Sequence, residues 1–248
     1  MELGFSLAHY VGAILAIVFG ATVQASVGLG AGLIAVPILL LINPVFVPAP
    51  IILASLILTS QMAYRGRREF HPTEVIPDLI GIFIGAIFGV ALVRVVDSKL
   101  LGFIFSIIIL LAVVLSIKGN RIQKTRKNQV LIGTISGFMG STTGIGAPPL
   151  ALMYQDEPGN RLRALLAFLF FFGSLGMLAV MWLGGLWGMK HFVIGILLAP
   201  GMLIGYWISP RLSAFLDQGR IRTVVLGICS VSAVTLVIKN IIVFLNKS

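Results

Sequence analysis

The stretch 26–32 reads Ser-Val-Gly-Leu-Gly-Ala-Gly and is followed by Pro37, while 142–149 reads Thr-Thr-Gly-Ile-Gly-Ala-Pro-Pro. Gly28 and Gly30 thus recur 116 positions later as Gly144 and Gly146. The same offset carries Gly85-x-x-x-Gly89 onto Gly201-x-x-x-Gly205, which places two different glycine features in one register. This pattern indicates a chain built from two copies of one unit. Each copy interrupts apolar sequence, and glycine-interrupted hydrophobic segments at matching positions of two halves point to a binding site near the midplane of a bilayer.

Apolar runs cover 7–23, 33–41, 51–64, 76–96 and 100–117, then 130–139, 150–154, 165–183, 192–208 and 223–238. With 58% hydrophobic and 10% charged residues, the chain leaves no stretch for a separate soluble domain. Backbone groups in lipid must all be satisfied internally, and a closed barrel would show short alternating segments, so the spans are expected to be helices. The expected fold is all-α: one polytopic transmembrane domain over 1–248, with about eight transmembrane helices plus broken or re-entrant segments. Repeat one is placed at 7–118, a loop at 119–128 and repeat two at 129–245. The two Gly-x-x-x-Gly pairs suit close helix packing.

Eighteen Lys and Arg against eight Asp and Glu give a net charge of +10. No basic patch sits on a soluble unit, so nucleic acid is not an expected partner, and the charge is read as Lys and Arg on cytoplasmic loops facing anionic lipid. If each glycine break reverses the chain, each half crosses an odd number of times and the halves are inverted. That arrangement places 13 basic residues inside and five outside, against 11 and seven for parallel halves. The positive-inside rule favours inversion. Oligomeric state is not legible.

A helix broken at Gly28, Gly30 and Gly32 ends with unsatisfied carbonyls and restarts with free N–H groups. The restarted half-helices, expected near Leu33 and Leu150, present positive dipole ends that favour an anion. Pro148 and Pro149 fall where a helix starts, the place at which a missing N–H matters least. Gln24 and Ser26 in the first half, and Ser141, Thr142 and Thr143 in the second, are neutral groups able to hydrogen-bond an oxyanion without placing a charge in hydrocarbon. Together with Gly28, Gly30, Gly144 and Gly146 they form the expected substrate site. Gly32, Pro37, Pro148 and Pro149 are expected to shape or gate the breaks. The alternative is that the hydroxyls bond back to their own helices. Thr22, Ser55, Thr59, Ser60 and Ser174 are further polar positions for the lining. Arg161 and Arg163 lie at a possible mouth, where pairing with Asp156 and Glu157 competes with attracting an anion.

No Asp or Glu falls in the middle of an apolar run, which disfavours cation-coupled pumping. The single cysteine, Cys229, excludes an intramolecular disulfide and a multi-cysteine metal site. His9, His71 and His191 lack ligand spacing, so neither metal nor cofactor is expected. The expected partners are a small anionic substrate and the lipid bilayer. A passive anion channel is the closest alternative. An intramembrane serine protease using Ser141 and His191 is remote, because the two fall on different segments.

At the Ser-Val-Gly-Leu-Gly-Ala-Gly stretch with Pro37, its second copy Thr-Thr-Gly-Ile-Gly-Ala-Pro-Pro, and Arg163-Ala164 opening the next apolar run, the chain resembles the TauE/SafE sulfite exporter family. The resemblance extends over essentially the whole length. It implies a non-enzymatic permease of the prokaryotic inner membrane that exports sulfite, sulfonates or other small sulfur-containing anions. The usual glycine triplet is varied here by Ala31 between Gly30 and Gly32, and by Ala147-Pro148 after Gly146.

Overall fold

Ser6 accepts the N–H of His9 on its side chain, and this cap starts α1, Leu7–Val27. Thr125 does the same for Asn128 at the start of α6, Arg126–Thr143. That cap begins the helix three residues before the expected start of repeat two at 129. Both helices stop at a glycine in the left-handed region, Gly28 at φ 97° and Gly144 at φ 80°, which residues with a Cβ resist. Each of these glycines donates its N–H back four residues, to Gln24 O and Gly140 O.

The computed structural model describes residues 4–28, 31–96, 98–118, 122–216 and 235. Gly30, Cys229 and almost all of the last apolar run, 223–238, lie outside them. The other helices are α2 (Ala31–Ile42), α3 (Ala49–Gly66), α4 (Ile76–Val95), α5 (Ser98–Lys118), α7 (Ala147–Tyr154), α8 (Gly159–Leu183) and α9 (Met189–Leu216). No strand occurs among the described residues. Among the described residues, four helical stretches are long and apolar enough to cross a membrane: Leu7–Val27, Pro72–Val95, Gly159–Leu183 and Met189–Pro210. Phe83, Phe88, Leu111, Ile196 and Trp207 stand exposed on α4, α5 and α9, as side chains facing lipid do.

Both breaks reverse the chain. A Cβ at Gly12 would meet Ile42, and one at Gly20 would lie 2.9 Å from Ala31 O, so α2 runs back along α1. Asn43 Nδ2 then donates to Gly4 O at 2.8 Å, closing this hairpin at the end of the molecule where Lys190 lies beside Gly4. α7 likewise runs back along α6, from Ser136 Oγ donating to Gly146 O at 2.6 Å to Gln129 Nε2 at 3.1 Å from Tyr154 Oη. This second hairpin closes at the opposite end, against Asp78 at the start of α4. Arg65, Arg67, Arg68, Lys118, Lys124, Arg126, Lys127, Arg161 and Arg163 belong to that opposite end by chain position. Arg94, Lys99 and Lys190 belong to the first.

Glycine lets two helix pairs approach to backbone contact. α4 lies along α6, with Gly81 against Val130 and Thr134, and Gly85 against Thr134 and Phe138. α9 lies along α1, with Gly201 against Ile14 and Ile17, and Gly205 2.7 Å short of Val18 O for an added Cβ. Val130 and Thr134 stand 116 positions beyond Ile14 and Val18, so the contacts pair Gly85 with Gly205 and Gly81 with Gly201, 120 apart. The sequence register of 85 with 201 is therefore displaced by one turn. The physical reason is that glycines at 81, 85 and 89 repeat every four residues, so either register lays glycine on glycine. α3 and α8 pack antiparallel between these pairs, Gly66 against Ala164.

The two ends of the molecule give a direct test. In a Cys229→Ser background, Gln123→Cys and Lys190→Cys should react with an impermeant thiol reagent from opposite sides of the membrane. Labelling of both from one side would contradict the hairpin geometry.

Candidate functional site

The two breaks meet. A Cβ on Gly32, in the first turn of α2, would sit 2.6 Å from Gly144 O, so the backbone of one break rests on that of the other. Around this contact lies a cavity of about 70 Å³. Gln24, Gly32 and Leu33 line it from the first break, and Gly140, Gly144, Gly146 and Ala147 from the second. α3 adds Ser55 and Thr59, and α8 adds Phe170, Ser174 and Met177.

Its polar groups fall into two sets. Gln24 Oε1 accepts the N–H of Ala31 at 3.1 Å, which caps α2 and starts that half-helix at Ala31, two residues before Leu33. The next residues, Gly32 and Leu33, stand in the first turn, where a helix cannot satisfy its own amides, and both line the cavity. Gln24 Nε2 and Ser174 Oγ donate to no described residue, whereas Ser55 Oγ and Thr59 Oγ1 bond to carbonyls of their own helix. α7 starts at Ala147 with no side-chain cap, and Pro148 and Pro149 in its first turn bring no donors. The donors thus come mainly from the first break, and Leu33, Ile51, Leu169, Phe170 and Met202 make the rest of the wall apolar.

The hydroxyls expected at the site are used otherwise. Ser141 Oγ and Thr142 Oγ1 donate to Phe138 O, and Thr143 Oγ1 donates to Met139 O and accepts from Ile145 N. All three are fully buried and stand behind the cavity wall. Ser26 Oγ donates to Thr22 O, and Ser26 lines a different cavity nearer the basic end. Gly28 packs against Arg163, Pro37 is buried within α2, and Pro148 and Pro149 are buried in α7. The two arginines part company. Arg161 is held by Glu74 at 2.6 Å and Glu157 at 2.9 Å, while Arg163 donates to Ser26 O at 3.1 Å and bonds Asn160. Ser141 and His191 are both engaged locally, His191 Nδ1 accepting from Gly188 N.

One buried group escaped sequence reasoning. Asp78 is 0% exposed, and its Oδ2 accepts from Tyr154 Oη and Gln129 Nε2, each at 2.7 Å. It ties the end of α7 to α4 and α6. In sequence it reads as an ordinary acid in a first helical turn, because its burial depends on the close approach at Gly81 and Gly133.

The sulfite exporter TauE/SafE family matches residues 13–236, a span holding both breaks, both glycine-packed helix pairs and the cavity between them. The chain belongs to the TauE/SafE sulfite exporter family. Neither a curated relative nor a solved structure matches it. Membership of TauE/SafE makes this an integral membrane protein of a transporter family, in keeping with its apolar helices. For a TauE/SafE chain the contact of Gly32 with Gly144 is the feature to break. Gly32→Leu should abolish flux with the protein still inserted, because the side chain must push the two breaks apart. Wild-type flux in that variant would take the contact out of the mechanism.

Proposed function

We propose that this chain exports a small sulfur-containing oxyanion, such as sulfite or a sulfonate, across the prokaryotic inner membrane, holding it in the cavity between the two breaks. The observation that carries this reading is the donor set. Gly32, Leu33, Gln24 and Ser174, which carry N–H and O–H donors, line one small cavity whose remaining wall is largely apolar. The positive end of α2 supplies attraction for an anion without a buried cation.

In this reading the chain has about eight transmembrane helices; the α1–α2 and α6–α7 hairpins each return to the side they left, so each half makes a net three crossings and the halves are inverted. The hairpins closing at opposite ends support this. The end bearing Arg65, Lys124 and Arg163 faces the cytoplasm by the positive-inside rule. A membrane potential negative inside drives an anion outward by about 2.3 kcal/mol per charge per 100 mV, so export needs no carboxylate in the centre of the path. The contact of Gly32 with Gly144 O favours a carrier that opens to one side at a time over a passive pore.

Removing one neutral hydrogen bond weakens binding by about 0.5–1.5 kcal/mol, up to roughly tenfold. Ser174→Ala and Gln24→Ala should each reduce the thermal stabilisation that sulfite gives the purified protein, and the pair should reduce it further. Thr142→Ala should leave it unchanged. Equal stabilisation of the paired variant and the wild type would move the site elsewhere.

A further inference from the structure

A second cavity, of about 420 Å³, lies at the basic end of the molecule. Ala25 and Ser26 of α1, Met62 and Arg65 of α3, Asn160 and Arg163 near the start of α8, and Tyr206 and Ser209 of α9 line it. The central cavity is lined by Gln24, Thr59 and Met202 of the same α1, α3 and α9. The two spaces are therefore stacked along three shared helices, about one helical turn apart.

Its chemistry differs from that of the central cavity. The Arg65 guanidinium lies 5.0 Å from the centroid of the Tyr206 ring. Arg163 holds Ser26 O and Asn160, so its charge is fixed at the wall by neutral partners. No carboxylate among the described residues pairs with either arginine, although Glu69 also stands at the lining. Tyr206 is only 6% exposed, and its hydroxyl has no hydrogen-bond partner among the described residues. A buried phenol without a partner, beside Arg65 and in a lining that also holds Arg163, is a group that an oxyanion would satisfy.

We propose that this basic vestibule is a second oxyanion site, in which Arg65, Arg163 and the Tyr206 hydroxyl capture the substrate before it passes to the central cavity. The proposal deepens the exporter reading and rests on it for the identity of the anion. With Glu69 at the same lining, the vestibule carries two positive charges and one negative. That balance concentrates an anion while leaving it free to move on, and it makes capture dependent on ionic strength.

The test is flux of labelled sulfite and methanesulfonate in proteoliposomes, started from the vestibule side, at low ionic strength and at roughly 0.3 M salt. The paired Arg65→Gln, Tyr206→Phe variant should raise KM about five- to tenfold at low salt with kcat retained, and the gap from wild type should narrow at high salt. An unchanged KM at low salt overturns the vestibule site. Gly32→Leu run in parallel separates the two claims. If it stops flux while the paired variant behaves as wild type, the central site stands and the vestibule falls. If it transports normally while the paired variant shows the raised KM, the vestibule stands and the central site falls. A wild type that moves neither anion overturns both.

Discussion

Two helices stop inside apolar surroundings, at Gly28 and Gly144, and each stop leaves carbonyls and amides that hydrocarbon cannot hydrogen-bond. The remainder of the molecule is arranged around satisfying those groups. A left-handed glycine returns its N–H to the preceding turn in both cases, the chain reverses, and a half-helix runs back toward the end from which it came. Gln24 then takes the first amide of α2, and Ser136 Oγ takes Gly146 O. Gly32 and Leu33, in the first turn of α2 where a helix cannot satisfy its own amides, line one cavity with Gln24.

Holding two such breaks in contact needs rigid neighbours. The glycine faces of α4 and α9 supply them by bringing α4 onto α6 and α9 onto α1 at backbone distance. Asp78 adds a third restraint, since Tyr154 at the end of α7 and Gln129 on α6 both donate to one of its two carboxylate oxygens, Oδ2. A short half-helix of eight residues would be marginal alone, and this clamp fixes its far end. The break is therefore held from both sides, at Gly146 by Ser136 and at Tyr154 by Asp78.

The positions of the breaks were legible in the sequence because a helix stop of this kind requires a residue at positive φ, and glycine at 28 and again at 144 marks it twice. The all-helical fold was legible for a similar reason, since hydrophobic runs of that length admit little else. The lining was harder to read. Ser141, Thr142 and Thr143 look like ligands because they adjoin the glycines, yet a hydroxyl on a helix reaches its own carbonyl three or four residues back more readily than it reaches a cavity. Ser55, Thr59 and Ser174, read from the sequence only as further polar positions, do line the cavity, brought there by the packing of α3 against α8. Arg161 and Arg163 look equivalent by spacing, but Glu74, distant in sequence, holds one of them and leaves the other to the vestibule.

The central claim is that the anion rests where the two breaks touch, held by donors of the first. Selenite has the shape and charge of sulfite and scatters anomalously at the selenium edge. A crystal of the protein grown with selenite should show an anomalous peak within hydrogen-bond distance of the Gly32 amide, Gln24 Nε2 and Ser174 Oγ. A peak confined to other parts of the molecule, with the space between Gly32, Gln24 and Ser174 free of selenium at saturating selenite, would contradict the account.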